Sequence, residues 1–173
     1  ALLPTLRFED SSKFNPQWVP KLGLKVSPLK WLAFKGNVGR VFRLPNFDEL
    51  YFPESEFIGG NPNLIPEEGI SADAGFEIST EPFFFSAAVF YSQVGNSIFF
   101  VPISATRIEP INFRDDTISQ GIEMAAQVDP IKYLSLRANY TFLDHYFQTT
   151  GFHLPGRAVH NVDFRATVKY PPW

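Results

Sequence analysis

The chain has 173 residues, 45% of them hydrophobic and 19% charged, a balance that suits one folded domain or part of one and excludes wholesale disorder. A net charge of -3 gives no basic surface for nucleic acid, and the lack of cysteine removes disulfide, zinc–thiolate and thiol-nucleophile chemistry. No apolar run approaches the ~18 residues of a spanning helix, but a membrane β-barrel needs no such run, because its strands alternate.

The opening Ala1-Leu2-Leu3-Pro4 has neither a basic region nor a full apolar region, so it does not read as a signal peptide. Period-two alternation, which puts every second side chain on one surface, then recurs along the chain. Leu6 and Phe8 suggest a first strand, and Leu22, Leu24 and Val26 a second. Leu32, Phe34, Gly36 and Val38 mark a third; Ile70, Ala72, Ala74, Phe76 and Ile78 mark a fourth. Phe83 to Val101 reads as one long strand of ambiguous facing. Ile122, Met124, Ala126 and Val128 mark the next, followed by Leu134, Leu136, Ala138, Tyr140 and Phe142, and by Val162, Phe164, Ala166, Val168 and Tyr170. The expectation is about eight strands and no helix.

The connections alternate in length. Short ones fall at Ser27–Lys30, Thr80–Pro82 and Asp129–Ile131; long ones fall at Asp10–Gln17, Arg43–Glu68, Pro102–Asp116 and Asp144–Arg157. All long loops therefore emerge at one end, as in an all-β, antiparallel, up-and-down transmembrane barrel with tight inner turns. The polar stripe carries Lys21, Lys25, Lys35, Asp73, Glu77, Glu123, Arg137, Asp163, Arg165 and Lys169. In a half-exposed soluble sheet that stripe is the solvated face; in a barrel it lines the lumen and the apolar stripe meets lipid. Trp31, Phe83 to Phe85, Tyr133 and Tyr170 lie near the short turns, where an interfacial aromatic girdle belongs.

Two segments of the longest loop carry a family resemblance. The loop opens with Phe42-Arg43-Leu44-Pro45 running to Glu49-Leu50-Tyr51 and closes with Gly60-Asn61-Pro62-Asn63-Leu64-Ile65-Pro66-Glu67. In order and spacing they resemble the corresponding segments of TonB-dependent outer-membrane receptors. Leu154-Pro155-Gly156-Arg157-Ala158-Val159-His160 is similar to the family's late motif, with Ala158 where a proline is usual, and Gly121-Ile122-Glu123 resembles a strand-opening step.

The resemblance implies a 22-strand barrel with an N-terminal plug and a TonB-box peptide, in the outer membrane of a Gram-negative bacterium. It also implies a TonB partner, a bilayer setting, and a scarce nutrient such as a ferric siderophore or cobalamin. Residues 1–173 are expected to be part of the barrel domain, without plug, box or terminal strands. The prolines of Tyr170-Pro171-Pro172-Trp173 read as another turn rather than a barrel end. Pro45, Pro62 and Pro66 take the chain out of the ladder, and Gly60 and Asn61 suit a turn. Arg43 is expected to pair with Glu49, and Glu67 to accept backbone hydrogen bonds. The loop tip, Tyr51, Phe52, Glu54, Glu56 and Phe57, is the expected place of ligand capture.

No catalytic constellation emerges. His145, His153 and His160 match no zinc spacing, no nucleophile elbow or phosphate loop is present, and no histidine lies between Pro45 and Asn61, where the resemblance to haem-uptake members of the family implies one to hold the iron. Asp115-Asp116 and Glu67-Glu68 are calcium-ligand candidates or solvated pairs. The expectation is a transport protein with no catalytic residue, resident metal or cofactor. A passive or structural barrel and a soluble β-sandwich binding module are the rival readings.

Overall fold

The computed structural model describes residues 1–169; Tyr170, Pro171, Pro172 and Trp173, to which the sequence reading assigns a girdle tyrosine and a turn, lie outside the described residues. The strands are β1 (Leu2–Glu9), β2 (Gln17–Leu29), β3 (Leu32–Arg43), β4 (Glu67–Thr80), β5 (Phe83–Gly95), β6 (Ile98–Pro102), β7 (Ile108–Asn112), β8 (Thr117–Ile131), β9 (Leu134–Phe147) and β10 (His160–Val168). Eight of them form one antiparallel sheet in the order β1-β2-β3-β4-β5-β8-β9-β10, so strands adjacent in the sheet follow one another along the chain except at β5 and β8, between which β6 and β7 intervene. Among the described residues β1 and β10 are edge strands and the barrel is not closed.

Two expectations are corrected. Phe83 to Val101 is not one strand: the chain turns at Asn96, whose φ is 55°, and β6 leaves the sheet to pair with β7 as a separate hairpin. A short helix, α1 (Phe47–Tyr51), lies in the longest loop. The short connections are also tighter than the prolines suggest, because β2 and β8 run through Pro28 and Pro130 with register shifts at Val26/Leu29 and Val128/Ile131. Proline is tolerated at such irregularities, where its missing donor is not needed.

Register fixes the faces, since directly opposed residues share a side. One side carries Leu22 opposite Val38, Val38 opposite Ala72, Ala74 opposite Val89 and Val89 opposite Ile122. The other carries Lys35, Asn37 opposite Asp73, Glu77 opposite Ser86, Glu123 opposite Thr141, and Arg137 opposite Arg165. Of the ten charged residues expected to share a side, the nine from Lys21 to Arg165 do so by register, and Lys169 follows β10 with the same parity. Phe84 falls on this polar side opposite Gln127, so only Phe83 and Phe85 of that trio sit on the apolar side.

Burial runs opposite to the soluble rule. Leu6, Trp18, Leu24, Val89, Val162 and Phe164 on the apolar side are 51–72% exposed. No second layer covers them among the described residues, which removes the sandwich reading. On the polar side the strands crowd together. A Cβ at Gly69 or Gly121 would lie 1.9 or 2.0 Å from the carbonyl oxygens of Gln93 and Phe142 on neighbouring strands. Glycine at such positions lets the backbones of neighbouring strands approach closely on the polar side.

Candidate functional site

The long loops at the end of the sheet opposite the tight turns hold most of the buried polar chemistry. Asn46 caps α1 reciprocally: its Oδ1 accepts from the Glu49 amide at 2.7 Å, and Glu49 Oε2 accepts from the Asn46 amide at 2.8 Å. Arg43, the last residue of β3, then ties the loop's two ends together. Its Nε and Nη2 each donate to Glu67 at 2.7 Å, and Nη1 donates to both Glu49 oxygens at 3.0 and 3.1 Å. Glu67 also accepts from the Ile98 amide at 2.7 Å, which anchors the β6–β7 hairpin to the same network. The Arg43–Glu49 pair and the backbone role of Glu67 follow the sequence reading; the Arg43–Glu67 fork does not appear in it.

The hairpin is held at its root. Phe113 stacks on Phe147 at 4.6 Å between ring centroids, with Phe99 edge-on to both. Ser97 and Thr117 hydroxyls share a buried hydrogen bond of 2.9 Å. The loop of residues 44–66 docks along the hairpin. Asn112 and Ile65 exchange two hydrogen bonds of 2.9 Å, and Asn61 Nδ2 donates to the Pro110 carbonyl at 3.0 Å. Leu64, only 2% exposed, plugs the junction.

The expected capture residues are all exposed. Tyr51 closes α1 against Phe47, with Lys13 of the first loop 5.1 Å over its ring. Phe52, Glu56 and Phe57 are exposed, and Glu54 pairs with Arg107 of the hairpin. Phe42, Leu50 and Leu64 are buried, while Pro45, Gly60, Asn61, Pro62 and Pro66 shape the loop's exits. The late motif is separate. Pro155 and Arg157 sit in the exposed last loop, and His160 opens β10 with its Nδ1 3.0 Å from the Tyr140 hydroxyl.

The acidic pairs are engaged by the protein itself. Asp115 accepts from the Thr149 and Thr150 amides at 2.9 and 3.2 Å, and Asp116 from Gln93 at 2.8 Å. Desolvation acts to raise the Asp115 carboxyl, but those donors outweigh it and hold it below the usual range. Glu67 belongs to Arg43 and Glu68 to Arg40. The histidines are spread out: His145 contacts Ser119 Oγ at 2.7 Å, and His153 contacts Asp144 at 3.0 Å. Among the described residues no group of three metal-ligating side chains forms.

On the polar side, a concavity of about 440 Å³ is lined by Lys35, Asn37, Asp73, Glu77, Ser86 and Glu123. Lys35 pairs with Glu77, Asn37 with Asp73 at 2.8 Å, and Asn139 with Asp163 at 3.2 Å. Arg137 and Arg165 oppose each other with no carboxylate partner among the described residues.

An open up-and-down sheet with a lipid-compatible outer side, an ionic inner side and docked loops at one end is a section of a membrane β-barrel wall. A family model described as "TonB dependent receptor-like, beta-barrel" matches residues 1–173, and the chain belongs to that family. The vitamin B12 transporter BtuB of Vibrio vulnificus is 37% identical over 71 residues, covering 41% of this chain and 11% of that protein. The BtuB of Photobacterium profundum is 27% identical over 126 residues, 70% of this chain and 20% of that protein. The chain thus spans a fifth or less of these curated relatives.

Solved structures share the fold. A mutant ferric enterobactin receptor PfeA of Pseudomonas aeruginosa, in complex with enterobactin, has a TM-score of 0.80 at 17% identity, over 98% of this chain and 28% of that one. The siderophore receptor PirA of the same organism has a TM-score of 0.73 at 23% identity, over 83% and 28%.

Sequence reasoning missed Arg107, Asn112 and Lys13. Arg107 is the only Lys or Arg between Arg43 and Arg114, and that isolation was its one visible signal.

Proposed function

We infer that the chain is part of the barrel of an energy-coupled importer in the outer membrane of a Gram-negative bacterium. The observation that carries this is the family match along the whole chain. In the complete receptor an N-terminal plug fills the lumen, and a TonB box takes energy from TonB, so the barrel needs no hydrolytic residue. Tyr51, Phe52, Glu54, Glu56 and Phe57 belong to the capture surface. Arg137 and Arg165, which have no carboxylate partner among the described residues, face the plug and the passing ligand together with Glu123. Cobalamin is the favoured cargo, because both curated relatives above are named vitamin B12 transporters; a ferric siderophore is the second.

The test is uptake of radiolabelled cyanocobalamin and ferric enterobactin by cells that depend on the complete receptor. Uptake that falls when the receptor gene is deleted, and again when the TonB box is removed, supports the reading. Uptake of both probes that ignores the deletion refutes it. TonB-independent uptake identifies the passive-barrel alternative. Replacing Arg137 and Arg165 together with alanine should impair uptake while leaving membrane insertion intact.

A further inference from the structure

The Arg107 side chain spends every guanidinium nitrogen on joining two outer segments. Nε donates to Glu109 on its own hairpin at 2.7 Å, Nη1 to the Ser55 carbonyl at 3.1 Å, and Nη2 pairs with the Glu54 carboxylate. Around it, residues 54–59 lie along the free edge of β7. Ile58 bridges Ile108 in parallel, and the Ile108 amide donates to the Phe57 carbonyl at 2.9 Å. Gly59 makes room for the guanidinium: a Cβ there would come within 2.5 Å of Nη2 and 3.1 Å of both Glu54 oxygens.

The surface so fastened has a definite character. Phe47, Tyr51 and Phe57 are 73, 47 and 63% exposed, on the side facing water, where large rings serve recognition. Asp48, Glu54, Glu56 and Glu109 stand against two cations, the Arg107 guanidinium and the Lys13 ammonium over the Tyr51 ring, and Glu49 is already taken by Arg43. Like charges placed against a ligand suppress its binding and so add to the discrimination that attractive contacts give.

We propose that Arg107 is a positioning residue that latches residues 54–59 to the β6–β7 hairpin. The latch makes one preformed capture surface, aromatic and net acidic, which takes uncharged or cationic ligands and turns away polyanionic chelates. The proposal rests on the nutrient-import reading for its ligands, but the latch itself is measurable without any ligand.

The experiment uses the complete receptor in detergent, with hydrogen exchange over residues 54–60 and 103–109. Cyanocobalamin serves as the uncharged probe and ferric enterobactin, a tris-catecholate trianion, as the polyanionic one. Arg107→Met and Gly59→Val should each speed exchange in both segments by about tenfold, the loss expected for one charge-assisted hydrogen bond, with β8 and β9 unchanged. Both should weaken cyanocobalamin binding by a similar factor, mainly through faster dissociation. Arg107→Lys, which keeps a cation beside Glu54 and Glu109 in a side chain of about the same size as methionine, should restore much of the protection and affinity lost in Arg107→Met, which a simple packing role would not allow. Glu56→Gln, outside the latch, should narrow the preference for cyanocobalamin over ferric enterobactin without altering exchange.

Unchanged exchange in Arg107→Met overturns the latch. Faster exchange with unaltered cyanocobalamin affinity overturns the shared capture surface. Equal binding of the two probes by the unmodified receptor overturns the charge selection. If neither probe binds, the import reading fails, and exchange alone decides the latch.

Discussion

Replacing Arg43 with leucine should loosen the outer end of the barrel without unfolding its wall. The guanidinium makes four hydrogen bonds to two carboxylates, and Glu49 is only 7% exposed. Removing one partner of a fully buried ion pair costs roughly 3–5 kcal/mol, because a charge is stranded away from water. The Arg43 side chain is 40% exposed, so solvent screens the network, and about half of that cost, near 2 kcal/mol, is a fair expectation. That corresponds to a factor of about 30 in local opening. The assay is hydrogen exchange at the amides of Glu49 and Ile98, which donate to Asn46 Oδ1 and Glu67 Oε1. Their protection should fall by about that factor, while amides in the middle of β9 keep theirs. Adding Glu49→Gln and Glu67→Gln to Arg43→Leu should recover part of the loss by removing the stranded charges. The reasoning is refuted if both amides exchange within about threefold of the unmodified rate, since the network would then contribute almost nothing.

Three further outcomes are expected. Val89→Arg on the apolar side, in the middle of β5, should cost roughly 2–4 kcal/mol of stability in lipid vesicles, whereas Ala88→Arg, opposite Glu123, should fold as before; the folded fraction on a heat-modifiable gel reports both, and equal loss would mean the faces are misassigned. Gly121→Val meets the Phe142 carbonyl and the Phe90 ring, and should lower the unfolding midpoint by about 1–3 kcal/mol equivalent, while Gly36→Ala, whose new methyl meets only a carbonyl at 3.4 Å, should be nearly neutral. The docking of residues 148–152 on Asp115 should be constant at neutral pH. Because the carboxyl is held below its usual range, its contribution is complete above the ordinary Asp value near ~3.9 and is lost only as pH falls through the lower folded value. Asp115→Asn should flatten that dependence, measured by exchange at the Thr149 and Thr150 amides.

The wall of the barrel was legible because lipid and water impose opposite demands on alternate residues. Leu134 to Phe142 and Val162 to Val168 therefore declared both strand and facing. The break at Asn96 was hidden because Ile98-Phe99-Phe100-Val101 continues the apolar character of β5, and hydropathy does not report a single left-handed residue. The helix at Phe47–Tyr51 was visible only as Asn46 followed by Glu49, a capping box too short to assert periodicity. Arg43 with Glu49 was readable because only five residues of loop separate them. Arg43 with Glu67, Asn112 with Ile65 and Arg107 with Glu54 were not, because those meetings depend on how the hairpin folds back, and no local pattern encodes that return.

The first loop grips the second through Lys13, whose ammonium reaches the Pro62 carbonyl, the second grips the hairpin through Arg107, and the hairpin's base grips the last loop through Asp115. An epitope formed by these docked loops is consequently discontinuous. A serum raised against a free peptide of residues 44–66 would recognise a shape the folded rim never displays, while one raised against the folded rim would recognise segments far apart in the chain.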